Sequence, residues 1–551
     1  IAIGSEAGKS YQSANCVAIG YQAGFANQNP QCFAVGYQAG FENQQSNAIA
    51  IGFQSGKTSQ GSQATAIGSF AGELLQGNNC MAIGFQAGQS NQNAFSLAIG
   101  AFAGNSTQYQ DSMAIGYQAG FQLQNTQSLA IGNYAGAYTQ NAAAVAIGYN
   151  SGYQGQQANC IAIGFESGKS NQSRDSIAIG YRAGQLGQNN ESLAMGYLAG
   201  TAGQFAQCVS IGYQAGQSLQ GYRASSLDAQ FVGAVAIGWR AGNIEQNAAG
   251  CAVGTLAGES YQGIAATAVG HRAGRVSQKI KAVAVGWRCG ESNQRGTALG
   301  FFAGHLNQAT QAVAIGDLAG RDDQEKAAIA IGYLSGTSTQ GSWSISIGRE
   351  SAEKNQGQYS IALGKESGRS IQGNYATAIG YQAGNDNQNA YSIAIGAEAG
   401  KSSQNTNSIA IGNQAGQQGQ NSFSVSIGKQ AGETAQGSHS IAIGCDSGIS
   451  NQNSFSVAIG HFAGASGQNA YCVAIGNSAG RLYQNTNSVA IGNQAGKDAQ
   501  GLNCTAIGAY AGETGQGNNT IIINASGSGL NSSNVSNTYI KPIHSFGINN
   551  G

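Results

Sequence analysis

Charge is scarce in this sequence. Lys and Arg number 24 and Asp and Glu another 24 among 551 residues, 9% in all, and they cancel. A typical soluble domain carries about a quarter. The charges are scattered, so there is no electrostatic footprint for nucleic acid and nothing to hold an anionic membrane surface. Proline is nearly absent, at two residues, and no strict Gly-X-Y period runs through the 86 glycines, which excludes collagen. No apolar run approaches the length of a membrane span, and no signal peptide is visible. The chain opens in mid-repeat without a methionine, which reads as a fragment or a processed product.

Catalytic chemistry is missing as well. The five histidines (His271, His305, His439, His461 and His544) fall at scattered places. No nucleophile, base and orienter converge, and no lysine follows the glycines where a phosphate loop requires one. The chain is therefore read as a non-enzyme without a cofactor. There is no C-x-x-C and no pairing of histidines, so no metal site is expected. Sequons such as Asn105 in NST and Asn190 in NES are a weak signal.

What the sequence has is repetition. Its length would ordinarily suggest about three or four domains, but a fixed internal period overrides that prior. Let the glycine of each AIG be position 0. It falls at Gly4 and every sixteen residues to Gly212, at Gly238, Gly254, Gly270, Gly286 and Gly300, and every sixteen again from Gly316 to Gly508. That makes thirty-two coils, and Asn524 takes the place in a degenerate thirty-third, IIIN. Apolar residues fixed at such a period, with zero net charge, argue against disorder.

Within the coil, the four residues before the glycine read as a short strand with period-two alternation of large and small. Positions −3 and −1 are large and apolar, as in Ile177 and Ile179, while position −2 is always Ala or Ser and position −4 mostly Ser, Ala or Cys. A strand with one wet face would show Lys, Thr or Glu at −2, so both faces are expected to be covered. Glycine at positions 0 and +4, broken only by Ala352, marks the bends. Position +3 is Ala or Ser apart from Cys289. Position +9, usually Asn or Gly, is expected to carry the left-handed turn.

Position +8 is glutamine in every coil, from Gln12, Gln28, Gln44, Gln60, Gln76 and Gln92 onward to Gln516. A surface position would drift among polar types. The expectation is an interior ladder in which each amide donates to the next across about 4.8 Å; a backbone partner at every coil would explain the same pattern. Seven of the ten cysteines (Cys16, Cys32, Cys80, Cys160, Cys208, Cys472 and Cys504) occupy position −4 and read as small packing residues. Only Cys16 and Cys32 stand in adjacent coils, where stacking would permit a disulfide. A disulfide framework is not expected, which suits a reducing compartment.

Stacked coils of this size give a rod of about 150 Å. One face of the strand should fill the coil and the other should meet another chain, most simply in a three-fold homo-oligomer. The small Ala/Ser face is placed inside and the Ile/Val face toward the partners, with the reverse left open.

SIAIG-x-x-A followed by a Gln-Gly or Gln-Asn element resembles the head repeat of YadA-type trimeric adhesins. The resemblance spans residues 1 to about 524 and implies a trimeric, left-handed parallel β-roll with one coil per repeat. Typical heads have slightly shorter coils and lack the unvarying glutamine and the second AG. The sixteen-residue form, ending in TIIINASGSGLNSSNVSNTYIKPI, is more similar to surface- and tail-fibre proteins of large DNA viruses and phages. There, NASG-type segments lead toward a self-cleaving C-terminal chaperone, which cleavage or truncation would remove from this sequence.

The expected organisation is thus an all-β solenoid array over residues 1–524 and a non-repeat cap or neck over 525–551. Two coils break the period. A ten-residue insertion near 222–232 offers Tyr222, Arg223, Asp228 and Phe231 as a binding loop, or else is a tolerated loop of no consequence. A coil two residues short, at 286–300, is expected to bend the stack or shift its faces. Position +1 carries aromatics in six consecutive coils: Tyr149, Phe165, Tyr181, Tyr197, Tyr213 and Trp239. They read first as a stability device or a subunit contact, and more sharply as a glycan or receptor stripe.

The functional expectation is a structural fibre on a virion surface, or on a bacterial cell surface. It would be a homotrimer that holds an attachment function outward and binds a host glycan or receptor. It would neither bind nucleic acid nor insert into a membrane. The alternative is a passive filament or coat decoration. An ice-binding solenoid would need a regular Thr or Ser face, and the mixed column at position −4 is already given to packing.

Overall fold

A computed structural model describes residues 1–222 and 233–542, and among them there is no helix. The chain divides into two compact units, Ile1–Ala282 and Val283–Gly551. Each unit is a parallel β-solenoid, and the chain makes about 33 turns in all.

In the first unit, Val17–Ile19 pairs with Phe33–Val35 so that Ala18 lies opposite Ala34. The same one-coil register recurs between Ile161–Ile163 and Ile177–Ile179, and between Cys251–Val253 and Thr267–Val269. A second column ends in the invariant glutamine, beginning at Ser10–Gln12 and reaching Ala202–Gln204 as a 13-stranded sheet. The second unit repeats the plan from Val283–Val285 on Thr297–Leu299. Its second column is a 6-stranded sheet from Asp322–Gln324 to Ser402–Gln404, and from Gln418 onward it thins to single-residue bridges such as Gln418 with Thr434.

The small face is inside. Ala18, Ala34, Ala98 and Ala114 at position −2, and Ala23, Ala39 and Ala103 at +3, are 0% exposed. The large residues of the same strands remain partly exposed, with Leu299 at 45% and Ile507 at 38%. Such a core holds little apolar area, since its largest fully buried side chains are Ile522 and the glutamines. Hydrogen bonding carries what a larger core would supply by burial.

The glutamine ladder is present, and so are the backbone partners. Gln108 Nε2 donates to Gln124 Oε1 at 3.1 Å and to the Leu97 carbonyl at 2.8 Å, with the Ser112 carbonyl at 3.2 Å. A primary amide has two N–H donors, so one serves the next coil and the other the backbone. Donation runs toward the C-terminus in each unit, as in Gln28 to Gln44 at 2.8 Å and Gln388 to Gln404 at 3.1 Å.

Glycine is required at both bends for different reasons. At position 0, Gly116 has φ +130°, and a Cβ there would lie 2.5 Å from the Gly132 carbonyl oxygen of the next coil. At position +4, Gly120 has φ +52°, and a Cβ would lie 2.7 Å from Gln124 Oε1. The left-handed turn expected at position +9 is elsewhere. In the coil of Gly20, positive φ falls on Gln22, Gly24, Asn27 and Gln31, not on Asn29. Position +9 instead builds an outer amide ladder, as in Asn125 Nδ2 donating to Asn141 Oδ1 at 2.8 Å. Where it is glycine the need is for space: a Cβ on Gly77 would lie 2.7 Å from the Ala94 nitrogen.

Neither irregular coil shifts the faces. Val209–Ile211 pairs directly with Val235–Ile237 across the insertion. Val283–Val285 pairs with Thr297–Leu299, keeping Ala284 over Ala298. The short coil loses its two residues between Gln294 and the next strand, and Gln308 Oε1, like Gln500 Oε1 in a full-length coil, has no hydrogen-bond partner among the described residues. Residues 525–541 do not leave the stack. Thr538–Lys541 pairs in parallel with Ile521–Asn524, and Leu530 bridges to Ala511. Ile522 fills the inner position that alanine holds elsewhere, with Leu530 and Tyr539 packed around it, and finishes the interior column.

Candidate functional site: the exposed aromatic columns

The coil repeat sets identical positions one strand spacing apart, so aromatics at position +1 must meet. Tyr149, Phe165, Tyr181, Tyr197 and Tyr213 stack in sequence with centroids 5.2, 5.1, 5.0 and 5.0 Å apart and planes within 13°. Trp239 closes the row at 6.4 Å from Tyr213. All six are exposed, between 37% and 44%. Arg182 and Arg240 lie over Tyr181 and Trp239 at 5.3 and 5.5 Å, adding cation–π contacts.

Parallel stacking has a consequence for recognition. Each inner ring covers the faces of its neighbours and shows solvent mainly its edge. A sugar ring packs on an aromatic face, and the inner rings have none to offer. Faces become free where the stacking geometry changes, and it changes at Tyr149. There Tyr134 meets Tyr149 edge-on at 84°, and Tyr138 meets Tyr153 edge-on with centroids 5.0 Å apart. These rings, with Gln118, Asn150 and Lys169, line an open hollow of about 480 Å³. Burial and the neighbouring phenols push the Tyr134 and Tyr153 hydroxyls above their ordinary pKa, and each phenol can donate as well as accept. Beside the stripe, Glu166 accepts from Lys169 at 2.7 Å, Arg182 at 2.8 Å and Gln185 at 2.9 Å.

Sequence reasoning missed Tyr134, Tyr138 and Tyr153 because they stand at positions +2, +6 and +5, off the column. It also missed a second stripe in the other unit, just before position −4. Tyr359, Tyr375 and Tyr391 stack at 5.0 Å, and Phe423, His439, Phe455 and Tyr471 at 5.0 to 5.2 Å. All seven have positive φ, which swings the rings outward. The signal was there as a sixteen-residue recurrence, broken by Asn407.

Of the proposed binding loop, Arg223, Asp228 and Phe231 lie outside the described residues. Tyr222 is exposed, bridges to Asn247 and meets Phe205 edge-on at 6.0 Å. The glutamines from Gln28 to Gln92 are buried in the ladder, with Gln12 at its more open end. All ten cysteines are free, Cys16 and Cys32 included. At position −4 the thiol has a donor's role: Cys80 Sγ and Ser96 Oγ both donate to the Asn93 carbonyl, at 2.7 and 2.6 Å. Ser456 Oγ makes the bond equivalent to that of Cys80, to the Asn469 carbonyl of the next coil at 2.7 Å, so Cys and Ser interchange there. The column is buried throughout, so it offers no surface to ice. No helix of the described residues is long and apolar enough to cross a membrane. No protein-family model and no curated protein matches the chain.

Proposed function

We propose that this chain is the repeat array of a homotrimeric surface fibre, on a virion or a bacterial cell, which holds an attachment function outward. The observation that carries this reading is the row of Ile, Val and Leu on the outer face of the AIG strands. It recurs in coil after coil, half-exposed, while the inner face is filled by alanine. A continuous apolar row of that kind marks an interaction surface, and a closed cyclic assembly of identical chains covers it without leaving a free face. The likeness of the repeat to trimeric adhesin heads and viral fibre proteins supports the same reading.

For attachment, the tyrosine hollow at the end of the stripe is the place a glycan fits best: ring faces, phenol hydroxyls, two amides and a lysine converge there. The stacked rings themselves favour a second role, mechanical stiffening, which serves equally in a passive filament.

The test is the mass of the full chain by light scattering coupled to size exclusion. Three times 55.8 kDa is expected. A monomer overturns the fibre reading. Glycan-array binding that Tyr138→Ala abolishes, with the mass unchanged, would separate an attachment fibre from a passive one.

A further inference from the structure

One cluster of side chains lies apart from the aromatic columns and serves neither ladder. Cys445 and His461 both occupy position +1, sixteen residues apart, so the register that stacks rings elsewhere stacks a thiol beneath an imidazole here. Asp446, at position +2 with φ 58°, turns its carboxylate toward them. Cys445 Sγ lies 3.2 Å from Asp446 Oδ2, and His461 Nε2 lies 3.9 Å from the same oxygen. All three ligand atoms fall within 4.8 Å of one another. The Asp446 side chain is 16% exposed and that of His461 49%, so the group is open to solvent on one side. Phe462 tilts against the imidazole, with centroids 4.1 Å apart, and limits its swing.

We propose that Cys445, Asp446 and His461 form a binding site for one divalent transition-metal ion of the zinc class, bridging two adjacent coils. Ligands at zinc's bond lengths of about 2.0–2.3 Å in a tetrahedron stand about 3.3–3.8 Å apart. Two of the three separations, 3.2 and 3.9 Å, bracket that range and the third is within 4.8 Å, so side-chain rotations bring the donors toward it. Thiolate and imidazole select zinc or cobalt over calcium or magnesium, which want oxygen alone. Three protein donors leave the fourth position to water. On binding, the thiol gives its proton to solvent and the sulfur bonds the metal. Lys429, one coil before, brings a positive charge near Cys445, and Asp446 with the thiolate supplies two negative ones.

The experiment is a titration of the full metal-stripped chain with Co²⁺. The expected result is a thiolate-to-cobalt charge-transfer band in the near ultraviolet that saturates at one ion per chain and is displaced by Zn²⁺. Cys445→Ser should remove the band, and His461→Ala should weaken binding at least about ten-fold. Cys251→Ser, at the other partly exposed thiol, should leave it unchanged. Absence of the band in the wild-type chain with cobalt in large excess overturns the proposal. So does a band that survives in Cys445→Ser or is lost in Cys251→Ser. Circular dichroism of each variant shows whether the solenoid is intact.

Discussion

At the residue scale, Gln124 accepts from Gln108 at 3.1 Å, donates to Gln140 at 3.2 Å, and reaches the Met113 carbonyl at 2.7 Å. Replacing it by methionine keeps the volume but strands an N–H below and a carbonyl oxygen above. Each stranded group costs roughly 1–3 kcal/mol. Gln124→Met should therefore speed amide exchange in the coils on either side, whereas Gln12→Met, at the open end, strands only the Gln28 carbonyl oxygen and should do less. Hydrogen exchange read coil by coil makes the comparison, and equal effects would mean that the ladder contributes no stability. The glutamines were legible in the sequence because a side chain that never varies in thirty-two chances is being held from both sides. The turn at position +9 was misread because Asn and Gly serve two needs: tolerance of positive φ, and an outer ladder or close approach. Composition does not separate them.

At the scale of the coil and its neighbours, Glu166 shows how the sparse charge is used. Burial would raise its pKa, but hydrogen bonds from Lys169 and Arg182 hold it below the ordinary carboxylate value. A carboxyl lowered in the folded state adds stability above its unfolded pKa, and that stability is lost as pH falls through the folded value. Coils around residues 161–188 should thus loosen as pH drops below about 4, and Glu166→Gln should remove that acid sensitivity. Exchange rates measured against pH test this, and an unchanged profile in the variant would sink it. The period made the column of Tyr149 to Trp239 visible from sequence, since it keeps one position. It hid the tyrosine hollow, whose members come from different positions of different coils, and the Cys445 group, where Cys445 and His461 share position +1 but Asp446 joins them from +2.

At the scale of the whole molecule, the buried thiols make the fold sensitive to alkali. Burial raises Cys32 and Cys472 to about 11 and Cys208 and Cys289 to about 12, well above the ordinary thiol. An acid whose folded pKa is raised supports the fold below its unfolded value and withdraws that support as pH climbs toward the folded one. Denaturant midpoints should fall between about pH 9 and 12, and serine at these four positions should flatten the decline; a decline of unchanged steepness would count against it. The identity of the coils has a consequence of another kind. Because Ala34 offers Ala18 the same surface that Ala50 would, a folding chain that skips a coil forms contacts almost as good as the native ones. Such a sequence is close to degenerate under a sixteen-residue slip. The insertion after Gly212 and the shortened coil before Gly300 break that degeneracy: each is a mark that fits one alignment only. Irregularities of this kind act as an address in an otherwise uniform tape, and let coils find their own neighbours.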